Sequence, residues 1–170
     1  MIKKMNRAQA YKFFSILFSY PEKGLFQEKN ILELQREYVR LFITAKNVPC
    51  PPYESAYRDE QRRLMVFTQE IIKKYRKAGL RISKKFKDLP DHIAAELEFM
   101  YYLCYMEEKF KEENKEKARK FQKMQKEFLE EHLAKWVPKF CDDVIRESKL
   151  EFYKEAARLL KDFIERETTQ

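Results

Sequence analysis

Apolar residues recur along this 170-residue chain at helical rather than strand spacing. Ala10, Phe13, Phe14, Leu17 and Phe18 share one face of a 3.6-residue period, and Pro21 and Gly24 end the segment. A second helix is expected from about Asn30, read as its N-cap, through Ile31, Leu34, Tyr38, Leu41 and Phe42. A third begins near Ser55, carries Leu64, Phe67, Ile71 and Tyr75, and stops at Ala78-Gly79, a C-cap pair. Asp88-Leu89-Pro90-Asp91 opens a fourth, with Asp88 as the cap, Pro90 in the first turn and Asp91 near the positive helix end. Its stripe is Ile93, Leu97, Met100, Tyr101 and Cys104. Residues 107–120 are almost all charged and read as solvated helix or loop. A fifth segment carries Phe121, Met124, Phe128, Leu129, Leu133, Trp136, Val137 and Phe140, and Pro138 is expected to divide it into two helices. Phe152, Tyr153, Ala156, Leu159, Leu160, Phe163 and Ile164 mark the last helix. With no internal repeat and no composition break, the pattern predicts a single all-α domain over residues 1–170, a bundle of six or seven helices.

Composition agrees with that picture. Hydrophobic residues make up 44% of the chain, with 14 Phe and 10 Tyr, enough apolar surface for one core. Only 2 Gly are present, which argues against β-rich folds with tight turns and against glycine-rich phosphate loops. Charge adds a second theme. The net charge is +8, and residues 62–88 hold ten cations against two acids. A run of that kind suits either phosphate groups or a solvated helix end and loop. It motivates a competing reading as a basic helical nucleic-acid-binding module using residues 62–87. No recognised nucleic-acid motif accompanies the run, so nucleic acid is not the expected partner.

The chemistry of catalysis is largely missing. Cys50, Cys104 and Cys141 are widely separated, as free thiols in a reducing compartment would be. His92 and His132 have no metal-ligand spacing to each other or to any cysteine. No nucleophile elbow or Walker loop occurs. Acid pairs such as Asp91 with Glu96, or Asp142 with Asp143, sit in charged helices where solvation is the ordinary role. An enzyme, a metal site and a cofactor are therefore not expected. No run of about 18 apolar residues exists to span a membrane. The N-terminal apolar stretch is interrupted by Tyr11, Lys12 and Ser15 and lacks a small-residue cleavage site, so a cytoplasmic location is expected.

What remains is recognition of another chain, and one segment suits it. Pro49, Pro51 and Pro52 pre-set an extended backbone that can hold Tyr53 rigidly against a groove at low entropic cost. The same residues also fit a stiff connector with Tyr53 tucked into the core.

An ordered set of motifs carries the reading further. Tyr38-Val-Arg-Leu-Phe42 is followed by Pro51-Pro-Tyr-Glu-Ser55, then by Leu89-Pro-Asp-His-Ile-Ala-x-Glu-Leu-x-Phe-Met100. Phe128-Leu-x-x-His-Leu-x-x-Trp-x-Pro-x-Phe140 completes it. In order and spacing, over about residues 30–145, this resembles the TorD/DmsD/NarJ family of molybdoenzyme assembly chaperones. The resemblance implies a cytoplasmic, all-helical, non-catalytic protein. Its partners would be the twin-arginine signal peptide, and often the body, of a molybdenum-containing oxidoreductase, held until cofactor insertion is complete. The implied signal-peptide-binding region includes Asp91 and His92, with Pro51, Pro52, Tyr53 and Glu54 beside them. Tyr57 and the aromatic residues of the fourth helix would line an apolar groove. Asp91, Glu54 and Glu96 would meet the two arginines, and His92 would donate a hydrogen bond or report pH. Against this, Asp91 and His92 also fit plain first-turn roles, and His132 and Trp136 fit packing and capping. Monomer and domain-swapped dimer both stay open, as does the identity of the client reductase. A net charge of +8 requires local acidity where a cationic peptide would dock.

Overall fold

The computed structural model describes residues 5–24, 28–43, 46–58, 64–83 and 88–169. They form seven α-helices: α1 (Arg7–Leu17), α2 (Glu28–Tyr38), α3 (Leu64–Lys77), α4 (Ile93–Phe110), α5 (Lys115–Phe128), α6 (Ala134–Glu147) and α7 (Glu151–Thr168). No strand is present among the described residues, so the all-α expectation holds. α4 is the central element, packed against α1 on one side and α5 on the other, while α6 pairs with α7.

The apolar stripes read from the sequence become one continuous core. Phe18, Phe42, Phe140 and Tyr153 meet there as an aromatic cluster, with Phe42 5.8 Å from Tyr153 and Phe18 5.5 Å from Phe140 between ring centres. Polar side chains lock the ends. Asn6 caps α1 through a reciprocal pair of bonds with Gln9. The Ser15 hydroxyl donates to the Ala94 carbonyl at 3.0 Å, tying α1 to the start of α4. Glu37 accepts from the Lys149 amide at 2.6 Å and from Ser148 Oγ at 3.2 Å, fastening α2 to the α6–α7 turn.

Several helix limits differ from the sequence expectation. Asn30 lies inside α2, which already begins at Glu28. Glu54–Ala56 forms a single 3-10 turn rather than the start of α3. α3 stops where expected. Gly79 takes φ +87, its amide donates to the Arg76 carbonyl at 2.9 Å, and the Leu80 amide donates to the Tyr75 carbonyl at 2.9 Å. Within the charged stretch 107–120, α4 runs on to Phe110 and Asn114 caps α5 through the Lys117 amide.

Pro138 does not divide the fifth segment. The break comes earlier, at a wide π turn over Leu129–Leu133, closed by the Ala134 amide on the Leu129 carbonyl. Pro138 sits inside α6. Its missing N–H and ring clash cost about 3 kcal/mol. Burying Trp136, Val137, Phe140 and Cys141 outweighs this, since a large apolar side chain contributes about 1.5–3 kcal/mol when removed from water. A second π turn, Val39–Ile43, extends α2.

Candidate functional site

The stiff Pro51-Pro52-Tyr53 segment runs antiparallel to the turn that leads into α4. The Ile93 amide donates to the Pro52 carbonyl at 2.8 Å, and the Glu54 amide donates to the Asp91 carbonyl at 3.0 Å. Tyr53 and His92 thus face one another across a two-residue bridge, with ring centres 5.4 Å apart. Proline suits this edge because it has no amide to satisfy, and its carbonyl remains free to accept. The turn itself is clamped from below, where the buried Tyr75 hydroxyl donates to the Pro90 carbonyl at 2.8 Å.

His92, rather than Asp88, caps α4. Its Nδ1 accepts from the Ala94 amide at 3.1 Å, and Pro90 lies in the turn before the helix. An accepting Nδ1 puts the neutral-ring proton on Nε2. Burial pushes the His92 pKa down, against the opposing pull of Asp88 and Asp91. A lowered folded-state pKa contributes stability above the ordinary histidine value of about 6.5, lost as the pH falls through the lower folded value. Replacing His92 with alanine is expected to cost about 1 kcal/mol in chemical denaturation, whereas asparagine, itself a good cap, retains most of that stability. Equal losses for the two variants would show that the cap contributes nothing.

The three acids expected near the site are all present, and all are enclosed. Glu54, Asp91 and Glu96 are each 0% exposed. Asp91 Oδ2 accepts from the Ser55 amide at 3.1 Å, holding the 3-10 turn to the turn before α4. Glu54 Oε2 lies 2.8 Å from His132 Nδ1, and its other oxygen is 3.6 Å from Arg58 Nη1. Glu96 Oε2 accepts from Trp136 Nε1 at 3.1 Å. Burial and the neighbouring Glu54 charge hold the Glu96 carboxyl well above the ordinary range. If both groups were charged, Glu54 Oε1 and Glu96 Oε1 would have no hydrogen-bond donor. A proton on Glu96 would let it donate to the neighbouring Glu54 carboxylate.

Of the remaining residues, Pro52 is buried, while Pro51, Tyr53 and Tyr57 are partly exposed. Tyr57 packs 5.7 Å from Trp136 and 6.0 Å from Phe140, on the inner side of the segment. Three further residues belong to this site. His132 and Trp136 hold the two buried glutamates, so their packing role carries a polar one as well. Their i, i+4 spacing was the signal that both point the same way. Asp88 is the third. Its carboxylate is 43% exposed, accepts from the Tyr53 hydroxyl at 2.8 Å, and lies on the rim of the bridge. Reading it as a helix cap concealed this.

The basic run has a more ordinary setting. Arg62, Arg63, Lys84, Lys85 and Lys87 lie outside the described residues. On α3, Lys74 pairs with Glu131 and Lys77 with Glu127, so part of the charge is compensated locally. No group of three or more metal-ligating side chains occurs among the described residues, nor does a helix long and apolar enough to cross a membrane.

The family model for the nitrate reductase delta subunit matches residues 10–142, most of the chain. The chain belongs to that family. Curated relatives of this family member include a selenate reductase assembly chaperone protein from Thauera selenatis, 28% identical, covering 78% of this chain and 74% of the relative. A chlorate reductase assembly chaperone protein from Ideonella dechloratans is 28% identical over the same shares. The chaperone protein TorD of Vibrio parahaemolyticus is 29% identical over 78% of this chain and 61% of its own length. Among solved structures, that of a candidate redox enzyme maturation protein from Archaeoglobus fulgidus superposes with a TM-score of 0.65 at 26% identity. That match covers 95% of this chain and 96% of the other. The family resemblance carried by the ordered motifs is therefore borne out, as is the TorD-like fold class. The matched span includes the whole Tyr53–His92 bridge and both buried glutamates with their partners.

Proposed function

We propose that this protein is a cytoplasmic maturation chaperone for a molybdenum-containing oxidoreductase. It binds the client's twin-arginine signal peptide, and its body, before export or assembly. It is a binding protein rather than a catalyst, in keeping with relatives named as assembly chaperones. The observation that carries the peptide-binding part is the bridge. Two motifs far apart in sequence are joined into one rigid edge, with an aromatic ring and a carboxylate at its rim.

In this reading, residues divide by depth. Pro51, Tyr53 and Asp88 face the peptide. Asp88 supplies the local negative charge that a guanidinium fork requires. Pro52, Glu54, Asp91, His92 and Glu96 act from inside, by fixing the edge, and Tyr57 seats it on Trp136.

Calorimetric titration of a twin-arginine peptide tests the surface part. Asp88→Asn is expected to weaken binding about tenfold, the equivalent of about 1.4 kcal/mol, which is within the range of a hydrogen bond to a charged group. A peptide with lysines in place of the two arginines is expected to lose a similar factor with the unsubstituted protein and little further with Asp88→Asn. Additive losses would remove Asp88 from arginine recognition. Capture of a molybdenum-containing reductase from the native source tests the chaperone role itself, and its absence among co-purifying proteins would overturn that role.

A further inference from the structure

A groove of about 670 Å³ opens between α3 and the α5–α6 junction. Arg58, Lys73, Lys74, Lys77 and Lys135 line it, together with Glu70, Glu130, Glu131 and His132. Five cations thus stand against three acids, with Arg58, Lys74 and Lys77 already paired to Glu54, Glu131 and Glu127. Glu131 pairs with Lys74, and Glu130 lies 3.9 Å from Lys126, outside the groove. Lys73 and Lys135 are exposed and have no acidic partner within 4.0 Å among the described residues.

The floor is built rather than incidental. His132 is 4% exposed, stacks on Phe128 with ring centres 4.7 Å apart, and is fixed by Glu54 on its Nδ1 side. Arg58 is held by the Glu131 carbonyl at 3.0 Å and lies over the Phe67 ring. Glu54, the residue after Tyr53, therefore contacts both the bridge and the groove.

We propose that this groove binds an acidic peptide segment, an extended stretch with several Asp or Glu side chains, on the body of the client. The proposal rests on the chaperone reading for the source of that segment. The chemistry favours carboxylates over phosphates. A concentrated phosphate is best met by backbone amides or arginine forks. Here the α6 amides are engaged in a helix continuous with the π turn, and Arg58, the one arginine lining the groove among the described residues, is committed to Glu54 and the Glu131 carbonyl. Lysines spread along two helices, interleaved with glutamates, suit carboxylates spread along a peptide. A nucleic-acid backbone would meet those glutamates at close spacing.

Anisotropy of a fluorescein-labelled poly-glutamate decapeptide provides the test, with a thymidine decanucleotide as the competing anion. Lys73→Glu with Lys135→Glu is compared with Lys115→Glu and Lys120→Glu, which makes the same charge change on exposed residues of α5. The groove variant is expected to bind the peptide about tenfold or more weakly, and the α5 variant within about twofold of the unsubstituted protein. Equal losses in both variants would reduce the effect to net charge and overturn the proposal. Tighter binding of the oligonucleotide, lost with the groove variant, would assign the groove to nucleic acid instead. The peptide titration and the capture of a reductase are separate measurements, so either reading can fail while the other stands.

Discussion

Replacing Trp136 with alanine is expected to destabilise the protein by about 3–5 kcal/mol, a large part of the about 5–15 kcal/mol that holds a typical domain together. Its side chain is among the largest fully buried in the molecule. It packs 5.5 Å from Phe140 and 5.7 Å from Tyr57, so its loss opens a cavity beneath the aromatic segment. It also removes the indole donor at 3.1 Å from Glu96. Trp136→Phe separates the two effects. It keeps much of the volume and loses the hydrogen bond, at an expected cost of about 1–2 kcal/mol. Urea unfolding of the three proteins measures both. A phenylalanine variant as damaged as the alanine one would mean that the polar link, not the ring, carries the effect. An unchanged midpoint for alanine would contradict the tight packing around Trp136.

The second large effect concerns the proton on Glu96. Burial raises its pKa, the Glu54 charge adds to that, and the Trp136 hydrogen bond only partly opposes them. A folded-state pKa above the unfolded value contributes stability that is fully present below the ordinary carboxylate pKa of about 4.3, and that is lost as the pH rises through the folded value. Glu96→Gln reproduces the neutral acid, donating to Glu54 and accepting from Trp136. It is therefore expected to be more stable than the unsubstituted protein at mildly alkaline pH and to flatten the decline there. Glu96→Ala leaves the buried indole N–H without an acceptor and is expected to cost about 1–3 kcal/mol at every pH. Denaturant midpoints over a pH series check both, and an undiminished alkaline decline in the glutamine variant would place the proton elsewhere. His92 works in the opposite sense, losing its contribution on acidification, so these two residues together favour stability at intermediate pH.

The helical periodicity located the buried stripes of the helices, because one stripe per helix is a repeated signal, but it ran α5 and α6 together and put their divide at Pro138 instead of Leu129–Leu133. The chain ends of those helices were less legible. Asp88 has the chemistry of a cap, but its carboxylate went to Tyr53 and the Leu89 amide, while His92 took the cap. Propensity ranks residue types; it does not say which neighbour competes for them. Pro138 misled for a related reason. The cost of a helix-interior proline is visible in sequence, but the compensating burial of Trp136 and Phe140 is tertiary. The site was legible as a set of motifs and not as a depth profile. Nothing in Pro-Pro-Tyr-Glu-Ser or Leu-Pro-Asp-His says that Glu54 and Asp91 turn inward while Asp88 stays at the rim. That distinction is tertiary: Asp91 accepts from the Ser55 amide and Glu54 meets His132, while Asp88 takes the Tyr53 hydroxyl.

The wide turn at Leu129–Leu133 sets the phase of everything after it. Each residue advances an α-helix by about 100°. Removing a single residue there, so that α5 ran straight into α6, would swing the Trp136–Phe140 face about a quarter of the way round and carry the indole away from Glu96. Homologues that differ by one residue in this loop of backbone must therefore rebuild the whole following helix face, or keep the irregularity.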